Sequence, residues 1–356
     1  MSQPRLAPSV AIVGPYIMHN FGDDLVGAVL THFLQEQFHA QVLLPSLSQQ
    51  NCHWLGIPAV ATNRDAILTS QAILIGGGGI LGDSGVSAHN GYLLSAGKAA
   101  LFGRIARRRV IVSGVGAGPL ARRSSRILCR TICDLVSAIG VRDRASAQFL
   151  VREMGVSPTK VVLGSDVALL WPKAFQVAQQ RLNTIGVQFD AWTYSSAQEN
   201  PFFADIIKCL VDFCNARAEE VTLVSNASRA TQLHHHLEYA PRSLHYSLLP
   251  SFLSRLSGLR AILTSHLHLA IAAFAARVPC YSIYVKEKTK RFYEQIGRTE
   301  RAIDIASAKP VEVERLLNSV QAACWTDEDE LILCRLQSDA TRLIDICSLL
   351  FEEAHA

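Results

Sequence analysis

The sequence predicts an α/β protein made of two Rossmann-like, doubly wound domains facing a cleft, a GT-B-like architecture, with a helical C-terminal tail. Three observations predict it. Short apolar runs of strand length alternate with segments of helical periodicity along most of the 356 residues. The alternation restarts after a polar stretch containing Pro172. The chain is also longer than one hydrophobic core ordinarily organises, so two domains are expected. Strands bounded by helices at this rhythm form a parallel sheet covered on both faces, with ligands beyond the carboxyl ends of the strands. The domains are read as 1–175 and 184–308, and the tail as 309–356.

In the first half, SVAIVG (9–14) is an apolar run ended by glycine and reads as a buried strand. DLVGAVLTHFLQEQF (24–38) spaces its apolar residues as a helix does. AQVLLPS (40–46) reads as strand, and DAILTS (65–70) is too short to type. AILIGGGG (72–79) is a strand running into a glycine loop, followed by a helix over 91–108. RVIVSGVGAGP (109–119) is a strand with a second glycine loop, and 124–140 is helical. IGVRD (139–143) is a short strand, RASAQFLVREMG (144–155) a helix closed by Gly155, and 160–170 a strand and turn.

Residues 171–183 read as the linker. The second series then runs strand 184–190, helix 200–217, strand 220–226, helix 230–240, strand 245–249 and helix 250–258. RAILTS (260–265), HLHLAIAAFAARV (266–278) and PCYSIYV (279–285) close it as strand, helix and strand.

Hydrophobic residues make up 49% and charged residues 18%, enough to bury two cores and too apolar for disorder. A net charge of +4 is mildly basic and is not the signature of a nucleic-acid binder. The Arg-rich stretches 104–109 and 122–130 read as solvated helix faces, or as a means of steering an anionic substrate. The nine cysteines include no CxxC. Cys129 and Cys133 share a helix face without a second pair at zinc spacing, so buried thiols in a reducing cytoplasm are expected, and no metal or cofactor. No apolar run has transmembrane length, and the N-terminus lacks the apolar core of a signal peptide.

Four features stand at predicted strand ends. In NFGDD (20–24), Asp23 or Asp24 caps the following helix, or presents a carboxylate as general base. Gly76, Gly77, Gly78 and Gly79 let backbone approach a ligand and offer N–H donors to an anion, or simply make a turn. They match neither a GxGxxG fingerprint nor a P-loop. In VRDRAS (141–146), Arg142 grips a carboxylate or phosphate, or pairs with Asp143, which caps the next helix. In TSHLHLA (264–270), Ser265 caps a helix whose first turn carries His266 and His268, and imidazolium groups there attract an anion. The alternative, metal binding by the HxH pair, lacks further ligands. The triplet His234–His236 lies in a polar stretch and reads as exposed.

GxxxxxNFGDD, the GGGG loop, SGVGAGP (113–119), GVRDRAS (140–146), LGSDVALL (163–170) and SHLHLAIAA–ARVP (265–279) occur in the order found in polysaccharide pyruvyl transferases. Over residues 9 to about 285 the chain resembles that family. The resemblance implies two Rossmann-like domains, phosphoenolpyruvate as donor, and a sugar or lipid-linked saccharide as acceptor. It places the family's R-D-x-x-S arginine on Arg142 and its R-L-H motif on His266, Leu267 and His268. Asn20 and Asp23 fall on the early family motif. It also implies a cytoplasmic enzyme whose peripheral membrane contact comes through the acceptor.

One departure stands out: the arginine of R-L-H is His266 here, without the two-pronged guanidinium. Lys286, Lys288, Lys290 and Arg291 lie just downstream as compensating cations. The expected roles are His268 as general acid or phosphate partner, Asp23 as base, and Arg142 as holder of carboxylate or phosphate. The competing readings are a GT-B glycosyltransferase using a sugar nucleotide and a non-catalytic ligand-binding relative.

Overall fold

A computed structural model describes residues 7–16, 19–82, 91–190, 195–227 and 232–352. The last residues of the glycine stretch, 83–85, and the start of the helix expected over 230–240 lie outside the described residues. The chain divides into two compact units, one of residues 1–174 with 336–356 and one of residues 175–335.

The first unit holds β1 (Ser9–Val13), β2 (Gln41–Leu43), β3 (Ala72–Gly76), β4 (Arg109–Val115), β5 (Ile139–Val141) and β6 (Val161–Leu163). They form one parallel sheet in the order β2-β1-β3-β4-β5-β6. The second unit holds β7 (Ile185–Gln188), β8 (Val221–Ser225), β9 (Arg242–His245), β10 (Ala261–Thr264), β11 (Cys280–Tyr284) and β12 (Ala302–Asp304). They too are parallel, in the order β12-β11-β10-β7-β8-β9. The central strands β1, β3 and β8 are Val/Ile/Leu-rich and buried along nearly their whole length, as strands covered on both faces must be.

Each order reverses direction once. In the first unit β2 pairs on one side of β1 and β3 on the other; in the second, β8 and then β9 lie on one side of β7 and β10 on the other, so the switch points are β1/β3 and β7/β10. At a switch point the loops leave in opposite directions, and the crevice between them is where open α/β sheets bind ligands.

Several elements differ from the sequence reading. Residues Asn63–Thr69 are a helix capped by Thr62, whose hydroxyl accepts from Asp65 N. The expected helix over 230–240 is a 3-10 turn, Gln232–His236, with an exposed histidine triplet. The strand expected over 245–249 sits earlier, at Arg242–His245, because Pro250 opens a helix at Leu249. The short β12 carried no readable pattern and was missed.

The segment expected as a helical tail, 309–356, is helical, and its helices are shared between the two units. The helix Pro310–Gln321 buries Val313, Leu316, Leu317 and Val320 in the core of the second unit. The helix Asp327–Asp345 contains the boundary between units, and beyond it Leu343 joins the first unit, its carbonyl accepting from Ser113 Oγ at 2.6 Å. Apolar side chains at helical spacing on both segments each had a core to fill, so neither stays outside.

Candidate functional site

In the first unit Asn20, Asp23 and the glycine loop stand at the β1/β3 switch point. The helix Phe21–Phe38 is capped by Asn20, whose side chain accepts from Gly22 N at 3.1 Å. Neither Asp23 nor Asp24 is the cap. Both sit in the first helical turn, where the positive end of the helix dipole favours a carboxylate. Asp24 is buried, and Asp23 is the more accessible of the two.

The glycine loop follows β3 directly. Gly77 and Gly78 have φ of 78° and 67°, a region that β-carbons disfavour, so the loop needs glycine there. A Cβ on Gly78 would lie 3.3 Å from Asp23 Oδ1, which puts the loop against the candidate base. A Cβ on Gly79 would meet nothing within 4 Å among the described residues. Tyr16, which the sequence reading passed over, fixes the other side: its buried hydroxyl donates to Gly76 O at 2.8 Å. Burial, with Asp23 and Asp24 nearby, pushes its pKa far up, so it stays a neutral donor.

Arg142 follows β5 as expected, and Asp143 caps the next helix, accepting from Ser146 N at 2.7 Å. The carboxylate that Arg142 grips belongs to the chain itself. Its guanidinium donates to Asp166 Oδ2 at 2.9 Å, and both side chains are buried. Asp166 in turn accepts from Ala168 N at 3.0 Å with its other oxygen, so the pair ties the end of β5 to the loop after β6. Asp143 is the weaker neighbour, 4.0 Å away, and the exposed Arg–Asp pair considered from sequence is replaced by this buried one.

In the second unit, His266 and His268 stand at the end of β10, at the β7/β10 switch point. Ser265 does not cap the helix Leu267–Ala275; the cap position is His266, without a side-chain cap bond. Ser265 is drawn the other way, to β7. Its hydroxyl donates toward Gln188 Oε1 at 3.3 Å and accepts from Asp190 N at 3.3 Å. Gln188 also accepts from Thr264 Oγ1 at 2.6 Å and Ser265 N at 3.1 Å, so one buried amide locks the ends of both strands.

Asp190 ends this network, receiving a bond from Gln188 Nε2 at 2.5 Å. Burial raises its carboxyl pKa, and the Gln188 bond only partly offsets that. Sequence reasoning missed Asp190; the only signal was an acid two residues past a buried strand.

His266 is held by Asn226, just beyond β8, whose Nδ2 lies 3.0 Å from His266 Nε2. Its pKa is pushed down to about 3, first by burial and then by the charges of Lys288, His268 and Lys286. His266 is therefore neutral at physiological pH and cannot supply the charge of the missing arginine, contrary to the imidazolium expected from sequence. The charge near it belongs to Lys286 and Lys288. With Ser265, His266, Leu267, Val285 and Thr289 they line a pocket across the ends of β10 and β11. Lys290 is instead engaged with Glu287 at 3.6 Å and Glu294 at 3.9 Å. His268 is buried in the first turn of its helix.

Two uncapped helix N-termini, Leu267–Ala275 and Glu287–Gln295, open at this pocket. The positive ends of two helix dipoles, two ammonium groups and a neutral imidazole favour an anion. Among the described residues no three His, Cys, Asp or Glu side chains converge to hold a metal ion, and no helix is long and apolar enough to cross a membrane.

Among solved structures, the chain is similar to a putative UDP-N-acetylglucosamine 2-epimerase from Listeria monocytogenes. That likeness has 11% identity over 98% of this chain and 97% of that one, with a TM-score of 0.68. It is also similar to UDP-GlcNAc 2-epimerases from Methanocaldococcus jannaschii, in complex with UDP-GlcNAc and UDP, and from Neisseria meningitidis, bound to UDP-GlcNAc. Both are 11% identical with TM-scores of 0.59, covering 96% and 97% of this chain and 99% of each of theirs. At such identity the likeness shows the fold, two Rossmann-like domains of the GT-B-like kind. No curated protein matches the chain in sequence. The family model for polysaccharide pyruvyl transferase matches residues 20–287, from the NFGDD turn through both switch points, and the chain belongs to that family of transferases.

Proposed function

We propose that the protein moves a pyruvyl group from phosphoenolpyruvate to a sugar of a polysaccharide or glycolipid precursor. The observation that carries this reading is the pocket at the end of β10. On the family's R-L-H positions a neutral His266 stands beside Lys286 and Lys288, so the cationic role of the arginine passes to the two lysines. Phosphoenolpyruvate carries a carboxylate and a phosphate, and two ammonium groups at two helix N-termini suit such a dianion.

In the proposed reaction a sugar hydroxyl adds to C2 of the enol phosphate as C3 gains a proton. A second hydroxyl then displaces phosphate and closes the ketal ring. The step needs an acid for C3, a base for the hydroxyl and cations for the leaving phosphate. His268 is assigned as the acid or phosphate partner and Asp23 as the base. Arg142, committed to Asp166, is assigned to hold its loop in place rather than the donor.

The solved structures bound to UDP or a UDP-sugar support a second reading, sugar-nucleotide transfer. Melting of the purified protein with phosphoenolpyruvate and, separately, UDP separates the two. A ligand at a hundred times its Kd adds about 2.7 kcal/mol. A shift with phosphoenolpyruvate, lost in Lys286→Met/Lys288→Met, supports pyruvyl transfer. A shift with UDP alone replaces it with glycosyl transfer, and no shift with either favours a non-catalytic relative.

A further inference from the structure

We propose that the first unit carries a membrane-docking face, formed by the outer sides of the helices Gly91–Ile105 and Arg123–Leu135, that seats on a bilayer containing anionic lipid. The proposal is independent of the donor.

The two helices pack side by side. A Cβ on Gly97 of the first would lie 2.8 Å from Leu128 Cδ1 of the second. Both bury their inner sides in one core cluster, through Ala96 and Ala100 on one and Cys129 and Ile132 on the other. Their outer sides therefore face away from the sheet together.

That outer surface is apolar where a solvated surface would be polar. Leu94, Leu101 and Ile105 fall on one stripe of the first helix and are 48%, 52% and 73% exposed; Ile127, on the second, is 59% exposed. Single exposed aliphatics need no explanation, but four on two adjacent helices make a patch.

The charge around the patch says what covers it. Residues 84–133 hold nine Lys and Arg and no Asp or Glu. The whole chain holds 34 cations against 30 acids, so the rest of the molecule is net acidic and the excess positive charge is concentrated here. Lys98 lies within the apolar stripe, and Arg104 and Arg107 follow at its end, all exposed. Among the described residues, Glu153 meets Arg126 at 3.6 Å and Asp134 meets Arg130 at 3.0 Å, both on the second helix. Aliphatic side chains interleaved with exposed cations match the boundary between acyl chains and anionic headgroups. The exposed large apolar residues of these two helices are all aliphatic, without the aromatic rings on which bases stack, and this disfavours a nucleic acid.

The test is co-sedimentation of the full chain with vesicles of phosphatidylcholine alone and of phosphatidylcholine with one-quarter phosphatidylglycerol. Binding is expected only to the anionic vesicles and is expected to weaken in high salt. Arg104→Gln/Arg107→Gln should lower it about thirtyfold. Leu101→Ser/Ile105→Ser should lower it at least tenfold with an unchanged melting temperature, since both side chains are exposed. Failure to bind anionic vesicles overturns the proposal. So does binding that survives the serine variant, which would make the contact purely electrostatic, or a preference for a DNA duplex over the vesicles.

Discussion

Asn226 Nδ2 lies 3.0 Å from His266 Nε2, across the ends of two strands that flank β7. With the amide donating, Nε2 is the acceptor, and the imidazole is neutral with its proton on Nδ1. A protonated ring would lose this bond and would face Lys286 and Lys288 as a third cation. The neutral state at the position of the family's arginine is thus built in by three side chains.

In the proposed function the lysines carry the anion. Lys286→Met and Lys288→Met should each weaken phosphoenolpyruvate binding by about tenfold to a hundredfold, the range for a hydrogen bond to a charged group. Calorimetric titration measures this directly. Wild-type affinity in both variants would move the donor elsewhere.

Acid should destabilise the second unit through His266. Its pKa falls from the ordinary 6.5 to about 3 on folding, so between those values the unfolded chain binds the extra proton. Stability from this residue is complete above about pH 6.5 and is lost as pH falls toward about 3. Asp190, whose pKa is raised, acts in the opposite sense: its ionisation costs more in the folded chain, so its contribution fades as pH rises. Melting of His266→Gln against wild type between pH 7.5 and 5 isolates the first effect. The variant should lose less stability than wild type on acidification, and parallel curves would show that His266 titrates normally.

Much of this was legible in the sequence, and the reasons are specific. The central strands β1, β3 and β8 are apolar runs closed by glycine or asparagine, and the helix Phe21–Phe38 repeats its apolar residues at helical spacing, so local pattern and fold agree. Arg142 and His266 can be singled out from sequence because both stand just past a strand. Their partners cannot. Asp166 lies 24 residues from Arg142, and Asn226 lies 40 from His266, distances that no local rule bridges. Arg142 was therefore read as reaching outward, and His266 as charged. Burial and neighbouring charge, both tertiary, decide each case.

The Arg142–Asp166 pair makes Arg142→Ala a poor probe of donor binding. Removing one partner of a buried ion pair leaves the other charge unpaired, at a cost of about 3–5 kcal/mol. Denaturant unfolding should show that loss for Arg142→Ala, and most of it should be recovered in Arg142→Met/Asp166→Leu. If Arg142→Ala is as stable as wild type, the pair is not structural and the arginine is available to a ligand.

The glycine loop offers the cleanest separation of folding from binding. Gly78→Ala should destabilise the first unit by about 1 kcal/mol or more, because its φ of 67° disfavours a β-carbon that would also meet Asp23 Oδ1 at 3.3 Å. Gly79 has no such constraint: a methyl there meets nothing within 4 Å among the described residues. Gly79→Ala should therefore leave the melting temperature unchanged while raising the KM for the acceptor, if the sugar lies against the loop as its position at the β1/β3 switch point suggests. Unchanged melting with an unchanged KM would confine Gly79 to a turn and move acceptor binding away from the β3 loop. A lowered melting temperature would instead mean that the loop packs against the protein more tightly than its open surroundings indicate.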